Sequence, residues 1–228
     1  MKLKKRFQTL IAAIALLCAA PAFSNQIIGL PADTGTGNCY PFGCSYSGEY
    51  QQVYTANAFS PGPITITDLE FFNTMYNSGA TSMNSGTWTI ALSTTSADWN
   101  TLSSTFASNV GADNTVVFSG NLSQPWVFGN TLHIDLSTPF TYIPGAGSNL
   151  LMDVMVSGAS SPGGNLFFDS HSGGSIMGRV YGGSVDSDYG LVTGFSTTGT
   201  TVPEPASLAL FGIGLAGLAT VRRRKQMV

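Results

Sequence analysis

Residues 149–156, Asn149-Leu150-Leu151-Met152-Asp153-Val154-Met155-Val156, decide how this chain is built. Leu150, Met152, Val154 and Val156 occupy every second position, and successive side chains of an extended strand point to opposite faces. Those four therefore share one apolar face, and Asp153 takes the other. Upstream, Leu132, Ile134 and Leu136 alternate with His133 and Asp135 in the same way. Pro144-Gly145-Ala146-Gly147 supplies a turn between the two runs.

The pattern continues on both sides. Gln52 to Phe59 alternates polar and apolar residues, and Pro61-Gly62-Pro63 turns the chain into Ile64-Thr65-Ile66-Thr67-Asp68-Leu69. Trp88, Ile90 and Leu92 form another alternating set, and Val116 to Phe118, Asn165 to Phe168, Ile176 to Tyr181 and Leu191 to Phe195 are shorter candidates. Only Trp99, Leu102 and Phe106 approach a helical spacing. Many short strands separated by Gly, Pro, Asn and Ser turns predict an all-β fold, an antiparallel β-sandwich of jelly-roll type, with a closed barrel as the alternative. One buried and one wet face per sheet reconciles a Ser- and Thr-rich chain with 43% hydrophobic residues.

The two ends have a different character. Lys2, Lys4, Lys5 and Arg6 precede an apolar stretch from Leu10 to Ala20, the form of a secretory signal peptide over residues 1–24. Small residues at Ala20, Ala22 and Ser24 offer signal peptidase two registers, with the mature chain expected to start at Phe23 or, preferred here, Asn25. Cys18 does not read as a lipoprotein site, because Leu16 and Leu17 stand where small residues are wanted. At the other end, residues 202–228 hold Val202-Pro203-Glu204-Pro205, an uncharged apolar run from Ala206 to Val221, and the cluster Arg222-Arg223-Arg224-Lys225. As a helix, 206–221 would span about 24 Å against a hydrocarbon core of about 30 Å. It is a short single membrane pass whose basic end stays cytoplasmic.

These last residues resemble the PEP-CTERM sorting signal of bacterial envelope proteins: a Pro-Glu-Pro motif, a hydrophobic segment and a terminal arginine cluster, in that order. The resemblance implies an integral-membrane exosortase as processing partner. Pro203, Glu204 and Pro205 would be the recognition residues, and Arg222, Arg223 and Arg224 the stop and retention element. It further implies export, brief anchorage in the inner membrane, and a structural or adhesive destination at the cell surface or in an exopolysaccharide and biofilm setting. An ordinary tail anchor is the alternative reading of the same stretch. Residues 136–156, with Pro139-Phe140, Tyr142 and Asn149-Leu150-Leu151, are also similar to β-rich ectodomains that carry such tails, a likeness that fixes no activity.

Charge narrows the partners. Of nine basic residues, four lie within residues 1–6 and four within 222–225, so Arg179 stands alone between residues 25 and 201 against eleven acids, a formal charge of −10. Nucleic-acid binding depends on Lys and Arg neutralising phosphates, so that function is excluded. The same 177 residues suffice for one domain with a sizeable core. Cys39 and Cys44, separated by Tyr40-Pro41-Phe42-Gly43, are expected to close a small disulfide loop in an oxidising compartment rather than bind a metal.

No catalytic motif stands out, and the chain reads as a non-enzyme. Asp169-Ser170-His171 lacks a nucleophile elbow, and neighbouring residues of a strand face opposite ways. Asp186-Ser187-Asp188-Tyr189-Gly190 is the one weak calcium candidate, since alternate carboxylates supply hard oxygen ligands, but it lacks the downstream acid of an EF-hand; otherwise no cofactor is expected. Asp68 with Glu70, like Asp186 with Asp188, are the i, i+2 pairs open to glycoside hydrolysis. Binding of extracellular polysaccharide is the weightier alternative to a purely structural role, with Tyr40, Tyr46, Tyr50, Trp99 and Trp126 as stacking candidates.

Overall fold

The computed structural model describes residues 23–199. The signal segment before residue 23, the 206–221 helix, Pro203, Glu204, Pro205 and Arg222 to Arg224 lie outside the described residues. The described strands, in chain order, are β1 (Phe23–Ile28), β2 (Gly48–Tyr54), β3 (Ile64–Phe72), β4 (Ser85–Thr95), β5 (Thr115–Gly120), β6 (Thr131–Tyr142), β7 (Asn149–Ser160), β8 (Ser170–Ser172), β9 (Met177–Tyr181), β10 (Ser184–Ser187), β11 (Tyr189–Leu191) and β12 (Thr193–Gly199).

They form a four-stranded sheet of order β1-β12-β3-β6, a six-stranded sheet of order β10-β9-β2-β7-β4-β5, and a ribbon of β8 with β11. The chain crosses repeatedly between the two large sheets. Without β9 and β10, which extend one edge, the strand order is that of a jelly roll. Both large sheets keep free edges, so the structure is a sandwich and not the closed barrel.

The alternation explains the core. Trp88, Ile90 and Leu92 of β4 lie opposite Val156, Val154 and Met152 of β7. This layer packs against Ile66, Leu69 and Phe71 of β3 and Leu132 and Ile134 of β6. A fully buried side chain of this size contributes about 1.5–3 kcal/mol, so the inter-sheet layer is the main source of stability.

The outer face of the six-stranded sheet is wet only in part. Leu151, opposite the core side of β7, joins Val53, Val180 and Leu102 in a second apolar cluster, with Ala97, Phe106 and Val110 packed around it. The β4–β5 connection lies across this face. It contains a three-residue 3-10 turn, Phe106–Ser108, which begins at the last of the helically spaced residues Trp99, Leu102 and Phe106.

Three further expectations change. The strand expected over 52–59 ends at Tyr54, and Ala56–Ala58 is a 3-10 turn. In Asn165 to Phe168 the chain makes one isolated bridge, Asn38 to Phe168, rather than a strand. Finally, β1 has no counterpart among the expected strands: it pairs with β12 from Phe23 opposite Thr198 to Ile28 opposite Thr193, so the described chain begins and ends side by side.

Candidate functional site

Four connections converge at one end of the six-stranded sheet. The segments are Thr55 to Asn57 after β2, Asp98 and Trp99 after β4, Gly145 to Gly147 before β7, and Gly174 to Ile176 before β9, and together they enclose a cleft of about 400 Å³. Loops carried on a rigid sandwich are a usual place for binding.

Three of the four walls are fixed by specific bonds. Asn149 joins two of them, its Oδ1 accepting the Ala56 N–H at 2.8 Å and its Nδ2 donating to Ala97 O at 2.9 Å. Thr55 N–H donates to Ile176 O at 2.9 Å. Asp98 Oδ1 accepts the Trp99 N–H at 2.8 Å, and Asp98 N–H donates to Thr101 Oγ1 at 2.8 Å. Beneath Trp99 lies Gly178 of β9: a Cβ there would stand 2.2 Å from Trp99 O, so only glycine lets the loop settle on the sheet.

Ser175 and Asp188 are the non-glycine residues with left-handed backbone among those described, at φ 55° and 58°. They hold each other, Ser175 N–H donating to Asp188 Oδ1 at 2.7 Å. Such conformations persist only where surroundings enforce them, and here they set the Gly174 to Ile176 wall.

The tryptophans separate into two kinds. Trp88 and Trp126 are buried, and their indole N–H groups donate to Pro41 O and Asn73 Oδ1 at 3.2 and 3.0 Å. Trp99 is half-buried, lines the cleft, and its indole N–H has no partner among the described residues. Of the other stacking candidates, Tyr50 is fully buried, its hydroxyl donating to Gln52 Oε1 at 2.6 Å. Tyr40 stacks on Tyr181 at 4.6 Å and meets Tyr46 edge-on at 5.1 Å, so both are occupied by their neighbours.

The weak calcium candidates turn to separate partners. Asp186 Oδ2 accepts from Arg179 Nε at 2.9 Å and Nη2 at 2.8 Å, while Asp188 holds Ser175. Among the described residues no three His, Cys, Asp or Glu side chains gather as a metal set. Arg179 is buried, with its guanidinium 4.7 Å from the Tyr181 ring centre and 4.4 Å from that of Tyr189.

Asp169, Ser170 and His171 do not act on one another. Asp169 is buried and accepts from Thr74 N, Met75 N and Thr74 Oγ1 at 2.8, 2.9 and 2.6 Å. Ser170 Oγ is buried without a partner among the described residues, and His171 faces Pro31 O at 2.8 Å and Gly173 O at 3.1 Å. On the four-stranded sheet, Asp68 stands opposite Asp135 rather than working with Glu70, and the hydrogen bond between them raises the Asp135 carboxyl above its ordinary range. Glu70 instead accepts from Asn25 Nδ2 at 2.9 Å and lies 3.5 Å from His133 Nδ1.

Cys39 and Cys44 form the expected disulfide. Their loop places Phe42 in the core, 4.6 Å from Phe71, and gives Trp88 its acceptor.

Residues 201–225, immediately beyond the described body, match the family model of the PEP-CTERM protein-sorting motif. The chain carries a PEP-CTERM sorting signal. The PEP-CTERM motif implies export and an exosortase as the enzyme that processes it. No curated protein matches the chain. Among the described residues no helix is long and apolar enough to cross a membrane.

Proposed function

We propose that this PEP-CTERM protein is a non-enzymatic surface or extracellular-matrix component with a structural or adhesive role among extracellular polysaccharide. Signal peptidase releases its amino end, the 206–221 segment parks it in the inner membrane with its basic end in the cytoplasm, and exosortase passes it to the cell surface. The observation that carries this reading is the sorting motif at residues 201–225. The described body supports it, because acidic side chains that suggest chemistry in the sequence are committed to structural bonds: Asp169 to Thr74 and Met75, Asp188 to Ser175, and Asp186 across the β9–β10 pair to Arg179.

The test is mass spectrometry of the mature protein from a host that makes the cognate exosortase, with Glu204→Ala alongside. The expected result is a wild-type chain trimmed at both ends and a variant retained in the membrane with its tail intact. Equal processing of both would reject Pro203-Glu204-Pro205 as the recognition element, and an untrimmed wild-type chain in the cytosol would reject the export route.

A further inference from the structure

We infer that the four-loop cleft is a binding site for a neutral saccharide, with the Trp99 ring as its stacking platform. The proposal relies on the surface-protein reading only for where such a ligand is met. The site itself follows from the residues.

A sugar ring presents a patch of C–H groups on one face and a rim of hydroxyls that both donate and accept. Its receptor needs an aromatic face beside mixed hydrogen-bonding groups, and indole combines a large apolar body with one polar handle. Trp99 is the tryptophan that is half open and keeps an unspent N–H among the described residues, and it sits in the cleft. Around it, Asn57 is exposed with no partner among the described residues, and Asp98 spends only Oδ1, on Trp99 itself. The Gly145 and Gly147 lip is exposed, with no described atom within 4 Å of where a Cβ would lie, so a ligand can approach it closely. Donors and acceptors of both kinds thus border the ring, within a volume in the range of small-ligand sites.

Charge selects the class of sugar. An acidic saccharide needs cations to offset its carboxylates or sulfates, and residues 25–201 hold one arginine and no lysine. That arginine is buried and paired with Asp186. A cationic amino sugar is the lesser fit, because among the described residues Asp98 is the sole carboxylate lining the cleft. The walls are also built before any ligand arrives: Asn149 ties Ala56 to Ala97, Asp188 fixes Ser175, and Gly178 seats Trp99. Such preorganisation reduces the entropy lost on binding.

The test uses full-length protein in a detergent without a sugar headgroup. Because Trp88 and Trp126 are buried, acrylamide quenches Trp99 selectively. Uncharged gluco-, xylo- and mannooligosaccharides are titrated by calorimetry and by protection from quenching, beside acidic uronate oligomers and glucosamine oligomers. The expected result is saturable binding of at least one neutral series with protection of Trp99, at least about tenfold weaker in Trp99→Ala and in Asn57→Ala. Circular dichroism confirms that both variants fold. The proposal is overturned if no neutral series binds, if only the acidic or amino series binds, or if binding survives Trp99→Ala undiminished. Processing at residues 201–225 should be the same in wild type and Trp99→Ala, so failure here leaves the sorting reading intact, and the reverse holds as well.

Discussion

Arg179 Nη2 lies 2.8 Å from Asp186 Oδ2, with the arginine side chain 9% exposed and the aspartate 37%. This asymmetry has a measurable result. Removing the more exposed partner strands a buried cation, whereas removing the arginine leaves a carboxylate that water can reach. Asp186→Asn should therefore destabilise the fold more than Arg179→Met, by about 2 kcal/mol after allowance for the open side of the pair. Urea titration checks the order of the two variants. Arg179 is also the one tryptic site between residues 25 and 201, so trypsin should trim the ends of the folded chain and spare its body, until Asp186→Asn loosens it.

Gly178 and Trp99 make a second, sharper pair. Gly178→Ala drives a methyl group toward Trp99 O, which would be 2.2 Å away, and something must yield. Overpacking of this kind costs about 1–3 kcal/mol. The expected outcome is a lowered melting temperature together with increased acrylamide quenching of Trp99, while Gly145→Ala, whose added Cβ meets nothing within 4 Å, leaves both unchanged.

Acid should favour the fold in a defined window. Burial lifts the Asp153 carboxyl above its ordinary range, against the pull of hydrogen bonds from Gln51 and Glu49. Glu49 is raised by its own burial and then by Asp153 beside it. Carboxyls raised in the folded form bind more protons there than in the unfolded chain, so their contribution is fully present below about pH 4 and is lost as pH rises through the raised values. The melting temperature should climb as pH falls from neutrality toward that range. Asp153→Asn should raise stability at pH 7 and flatten the climb, whereas a profile unchanged by the substitution would place its origin elsewhere.

The sandwich was legible because β4 and β7 each face one layer with their alternate residues, and a period of two needs no partner to be recognised. What escaped depends on partners distant in sequence. Gln52 looks like a wet residue, yet its amide accepts the Leu191 N–H at 2.8 Å and donates to Leu191 O at 2.9 Å, replacing a strand neighbour. Leu151 lies on the face expected to be wet and is buried because the β4–β5 connection folds over it. β1 is defined by β12 and not by any alternation of its own. Trp99 could be named only among five aromatic residues. Its distinction arises where four loops meet, and Gly178, which seats it, carries no mark in the sequence at all.

The pairing of Phe23 with Thr198 has a mechanical side. Tension applied between the two ends would part the six residue pairs of β1 and β12 in succession, as a zipper opens, instead of shearing them together. A body tethered by one end alone carries no load across that seam. Removing either terminal anchorage would therefore spare that seam from any tension between the ends.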